Sequence, residues 1–156
     1  MSVRPRHVGR VVSVVVMDLE ELNGDRPWAL ASLRIISETL SAEAIGELLG
    51  LPATSSRTSE GEPSFTVWML ESRLEPTANV EDHLYILMER LRDRRDALKG
   101  LADSSSVEMW LSFSPGNRHS SSVLDHAVLG ELGSLGIDLV LDPYPPGRGT
   151  GQAPPP

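Results

Sequence analysis

The sequence predicts an α+β domain built on a single sheet. Two observations carry this: apolar residues alternate with period two in four separate segments, and three other segments repeat them at helical spacing. The two kinds of segment follow one another along the chain, which fits helices packed against strands of one domain. A chain of 156 residues is long enough to bury one core.

The first 28 residues stand apart as an extension, read as partly disordered or as one short extra strand. Val11–Met17 is apolar but contains Ser13, and Arg4, Arg6 and Arg10 precede it. This imitates a signal peptide, yet acidic residues Asp18, Glu20 and Glu21 follow where a small-residue cleavage site belongs. Secretion is therefore not expected. A further reading makes the stretch translated sequence upstream of a start at Met17. Asn23-Gly24-Asp25-Arg26-Pro27 is a turn-rich linker.

From Ala29 to Ile36, Ala31, Leu33 and Ile35 share one face and Ser32 and Arg34 the other, the pattern of a half-buried strand. Ser41 caps a short helix carrying Ile45, Leu48 and Leu49, which Gly50 and Pro52 end. Ala53–Ser64 is polar, with room for a weak edge strand near Ser55–Thr58. In Phe65–Ser72 both faces are partly apolar: Phe65, Val67 and Met69 are read as inward, Thr66, Trp68 and Leu70 as outward.

After Asn79 one long helix is expected. Val80, Leu84, Leu87, Leu91, Leu98 and Leu101 make its apolar stripe, and Gly100 is its stop. The arginines at 90, 92, 94 and 95 alternate with acids and spread around the cylinder, a solvated mixed-charge surface. Val107–Phe113 alternates again, with Val107, Met109, Leu111 and Phe113 inward and Glu108, Trp110 and Ser112 outward. Ser122 with Asp125 resembles a capping box for a third helix bearing Val128, Leu129, Leu132 and Leu135, closed by Gly136. Ile137, Leu139 and Leu141 mark a final strand. Residues 145–156 are rich in Pro and Gly, cannot bury apolar area, and are expected to be disordered.

The order β-α-(β)-β-α-β-α-β describes a ferredoxin-like β-α-β-β-α-β core extended by a C-terminal α-β unit, spanning residues 29–144. Under this arrangement Arg34, Trp68 and Trp110 share the outward face, which is either open or covered by the third helix.

Composition narrows the function. Zero cysteines exclude disulfide scaffolds, thiolate catalysis and cysteine-ligated metals, and fit a reducing cytoplasm. Basic residues are nearly all arginine, with Lys99 the only lysine, a hint of a GC-rich bacterial genome. Between Ala29 and Asp142 stand 18 acids and 9 bases, a formal −9. That field repels phosphate backbones and argues against nucleic-acid binding. No apolar stretch approaches the ~20 residues of a membrane span.

Motifs for chemistry are absent from the sequence. The single lysine cannot serve a phosphate-binding loop, and Gly147-Arg148-Gly149-Thr150-Gly151 has no strand before it or helix after it. His7, His83, His119 and His126 form no helical metal pair, and His83 reads as a first-turn surface residue. His119 beside Ser120–Ser122 lacks the orienting group that activates a serine. No catalytic residue, cofactor or metal is assigned. The residues that stand out are Trp68, Trp110 and Arg34, large groups on one strand face, with Arg118 and His119 at the rim.

The order and spacing resemble one bacterial family. Leu40–Thr54 follows a short strand, a Gly61 turn precedes the strand holding Trp68, the Val80–Leu101 helix comes next, and Ile137–Tyr144 closes the domain with Asp142 and Tyr144. Together these resemble the domain of unknown function (DUF) 4279 family from about Ala29 to Tyr144. The resemblance implies a small bacterial protein and carries over no catalytic residue. The functional expectation is a non-catalytic protein-binding module, by analogy one that neutralises a basic partner as immunity proteins do, or else a homodimer. The alternative is a small-molecule binder or enzyme with a pocket between sheet and third helix, using Arg34 or His119 as its polar anchor.

Overall fold

The computed structural model describes residues 26–117 and 121–145. Five strands form one sheet in the order β2-β3-β1-β4-β5. They are β1 (Trp28–Ser37), β2 (Ser55–Ser59), β3 (Phe65–Glu71), β4 (Ser106–Ser114) and β5 (Asp138–Pro143). Neighbours are antiparallel except β4 and β5, which run parallel. This is the split β-α-β arrangement expected, with β5 added beside β4. β1 begins one residue earlier than its alternation indicated, at Trp28, inside the stretch read as an extension. The remaining expectations for residues 1–25 and for the tail from residue 146 lie outside the described residues.

The helices are α1 (Ala42–Leu49), α2 (Val80–Leu91), a 3₁₀ turn (Arg92–Arg94), α3 (Arg95–Ser104) and α4 (His126–Leu135). Ser41 Oγ accepts from the Ala44 amide at 3.2 Å to cap α1, and Gly50 ends it at φ 63°. The single long helix is instead broken at Arg92–Arg94. There Arg94 Nη1 donates to the Arg90 carbonyl at 3.1 Å, so a side chain shares the ladder acceptor and the turn tightens. Gly100 does not stop α3, which runs on to Ser104. For α4 the cap is Asp125 rather than Ser122: its Oδ1 accepts from the amides of Ala127 and Val128, each at 2.9 Å.

Leu84, Leu87, Leu91, Leu98 and Leu101 all face the sheet, and Val128, Leu132 and Leu135 of α4 join the same core. All helices of the described residues thus lie on one side, and α4 does not cover the opposite face. Crossover handedness explains this. The steps β3→β4 and β4→β5 move the same way across the sheet from strands of one sense; β1→β2 reverses both. Right-handed crossovers then place α1 to α4 on one face.

The two faces of β3 are the reverse of the expectation. Ile35 pairs with Trp68 and Leu33 with Leu70, so Trp68 and Leu70 belong to the core row of β1. Trp68 is 0% exposed. Val67 and Met69 point the other way. With apolar side chains on both faces, a period-two pattern has no intrinsic up or down, and only the register decides.

Candidate functional site on the helix-free face

The face without helices among the described residues is formed by alternate residues of all five strands. Arg34 sits at its centre on β1, flanked across the ladder by Met69 on β3 and Glu108 on β4. Trp110, two residues beyond Glu108, lies diagonally opposite. The Arg34 guanidinium carbon stands 4.0 Å over the Trp110 ring centroid, a cation–π stack. Trp110 is held by its indole N–H, which donates to Glu108 Oε2 at 2.7 Å. The other Glu108 oxygen accepts from Ser106 Oγ at 2.8 Å. On β5, Asp142 Oδ2 accepts from Ser112 Oγ at 3.0 Å. Trp28 and Tyr144 pack together at this face's end, their rings 5.2 Å apart.

Arg34 is only 5% exposed. Its Nε donates to Ser32 Oγ at 3.3 Å, and its terminal nitrogens make no hydrogen bond or ion pair among the described residues. Burial lowers its pKa, while Asp142 and Glu108 pull the other way. An arginine nonetheless stays protonated in any protein environment. Both Glu108 oxygens and Asp142 Oδ2 accept from other donors, and neither acid bonds Arg34, so a desolvated charge is left with donors to spare among the described residues.

Beside it lies a depression of about 80 Å³ whose floor includes Leu30, Ser32, Arg34, Met69 and Ser112. Ser72, Arg73 and Leu74 form its wall. This depression lies on the side of the sheet opposite α4, away from the place between sheet and third helix where a pocket was expected. Arg73 adopts φ 60°, left-handed backbone that costs a non-glycine residue about 1–2 kcal/mol. The wall is pinned from below: Arg90 Nη1 donates to the Glu71 carbonyl at 2.8 Å, the Ser72 amide donates to Ala31 O at 3.0 Å, and Ser72 Oγ lies 2.6 Å from His83 Nδ1.

His83 is fully buried, not the surface residue its sequence neighbours suggested. Burial depresses its pKa, with the Glu75 carbonyl and Asp82 opposing. Its position was readable, since residue 83 falls three after Val80 and four before Leu87, on the edge of the apolar stripe.

Of the residues singled out, the structure brings together Arg34 and Trp110. Trp68 is removed from the group, because it lies beneath α1 on the other side of the sheet. Arg118 and His119 lie outside the described residues. The alternation places Ser32 on the face of Arg34, and Glu108 and Ser112 on the face of Trp110, without making them companions of the stack, and Asp142 was missed. Glu108 was accessible, being two residues from Trp110 and so on its face. No group of His, Asp and Glu arranged to hold a metal ion occurs among the described residues, and no helix among them is long and apolar enough to cross a membrane.

Residues 26–146 match the family model described as Domain of unknown function (DUF4279). No curated protein and no solved structure matches the chain.

Proposed function

The chain belongs to the DUF4279 family, and on that footing we propose that it is a non-catalytic binding module that holds a protein partner against the helix-free face of its sheet. One observation carries this reading: the buried Arg34 guanidinium, stacked on Trp110, keeps donors unpaired among the described residues, on a face that none of the described helices covers. Arginine and tryptophan are the residue types that most often dominate interface energy. The depression beside them, about 80 Å³, is smaller than the roughly 300–1,000 Å³ that encloses a drug-sized ligand. It suits one side chain or chain end of a larger partner.

The acidic domain favours encounter with a partner of basic surface, as in the immunity-protein analogy. A bacterial cytoplasm is the proposed setting, in keeping with the absence of cysteine. Recovery from a native lysate tests the reading. The wild-type chain is expected to retain one stoichiometric partner that Arg34→Met and Trp110→Ala both release. Equal recovery by all three proteins, or recovery of none, refutes it. Recovery of a second copy of the chain alone would make the face a homodimer contact instead.

A further inference from the structure

We infer that the depression at Arg34 is a carboxylate-binding notch, an inference that rests on the helix-free face being the recognition surface and names the chemistry it recognises. A guanidinium presents its donors as a planar fork that matches a carboxylate, and such charge-assisted pairs gain from exclusion of water. Arg34 meets both conditions, being 5% exposed with its terminal nitrogens unpaired among the described residues. Its stack on Trp110 and its bond to Ser32 Oγ fix the plane of the fork in advance. Ser32 Oγ takes the Arg34 Nε proton on a lone pair and keeps its own O–H for a ligand oxygen.

Charge around the notch selects a monoanion. Arg34, Arg57 and Arg73 face Glu71, Glu108 and Asp142 around the notch, and Asp138 adds a fourth acid farther along the same face. A carboxylate adds one negative charge to this slightly acidic surround, and a phosphate dianion adds nearly two. The other side of the notch is apolar, with Leu30, Met69 and Leu74 placed to cover a hydrocarbon stem. The ligand class is therefore a carboxylate on an apolar body. It has two sources: the end or acidic side chain of a polypeptide, or a free organic acid.

The experiment is an NMR titration of the full chain, following the Arg34 Nε–H and Trp110 indole N–H signals. Four compounds are added in turn: benzoate, a short apolar peptide with a free C-terminal carboxylate, the same peptide amidated, and inorganic phosphate. Both signals are expected to move with the free-acid peptide, at a Kd in the range of about 1 mM for a single anchored group. The amidated peptide and phosphate are expected to leave them in place. Arg34→Lys should weaken binding by about tenfold or more, because a point charge loses the fork. Arg34→Gln should abolish it; the amide spectrum of either variant reports whether the fold survives.

Peptide binding stronger than benzoate assigns the notch to polypeptide carboxylates; the reverse assigns it to free organic acids. Silence of both signals to every carboxylate overturns the inference, as does phosphate binding more tightly than either acid. The partner reading fails separately. A protein partner held equally by wild type and Arg34→Gln, with carboxylates still bound, sinks that reading and leaves the notch. A partner lost on substitution with no carboxylate response does the opposite.

Discussion

Replacing the two strand tryptophans one at a time separates the faces of the sheet by their energetics. Trp68 is 0% exposed and lies beneath α1, its indole nitrogen 3.6 Å from where a Cβ on Gly46 would stand. Truncating a fully buried tryptophan to alanine costs about 3–5 kcal/mol. The Trp68 indole N–H is buried with no acceptor among the described residues, so its removal also relieves an unpaired donor. Trp68→Ala is therefore expected near the lower end, about 3 kcal/mol. Trp110 is half-buried and its main partner is Arg34. Its loss removes a cation–π contact of about 0.5–2 kcal/mol and part of its apolar contact, roughly 1–2 kcal/mol in all. With a urea m-value of about 1.5 kcal/mol/M, the midpoints fall by roughly 2 M and about 1 M respectively. Far-UV circular dichroism is the appropriate readout, since the substitutions alter the fluorescence. A Trp110→Ala shift equal to or larger than that of Trp68→Ala would refute the assignment of Trp68 to the core.

Two further outcomes follow from single residues. His83 has a folded pKa below its ordinary value of 6.5, so as pH falls through that value the unfolded chain takes up a proton that the folded chain refuses. Stability should be full above pH 6.5 and decline below it; His83→Asn should flatten that decline in urea midpoints, and an unchanged slope would show that another group is responsible. Gly136 closes α4 at φ 72°, and a Cβ there would meet Ala102 Cβ at 3.2 Å. Gly136→Ala should cost at least about 1–2 kcal/mol, seen as a lower Tm, and a neutral result would contradict the left-handed cap.

The fold was largely readable because its strands and helices differ in period. Alternation in Ala29–Ile36 and Val107–Phe113 has one apolar row, and both strands face the core as that row demands. Phe65–Glu71 has apolar residues on both sides, so its facing depends on pairing Ile35 with Trp68, a tertiary fact that no local pattern holds. The break at Arg92–Arg94 was hidden for a related reason. Leu91 and Leu98 are seven residues apart, a spacing that an unbroken helix satisfies equally well. Half of the site was legible: Arg34 and Trp110 are bulky outward residues on neighbouring strands. Glu108 and Ser112 were legible as outward neighbours of Trp110 but not as partners, and Asp142 was not legible at all, since an acid or serine on an outward row reads as ordinary surface until the strand order brings it beside a buried arginine.

Site-specific photo-crosslinking tests most directly whether the helix-free face is where recognition occurs. A photoreactive phenylalanine at Val140, which pairs with Trp110 across β4 and β5, reports on that face. The same residue at Leu48, which is 56% exposed on α1, reports on the helical side. The expected result is one discrete protein adduct from position 140 in cells, absent from position 48 and lost when Arg34→Met is added. An adduct formed at position 48 but not at 140, or one at 140 indifferent to Arg34, would contradict the account.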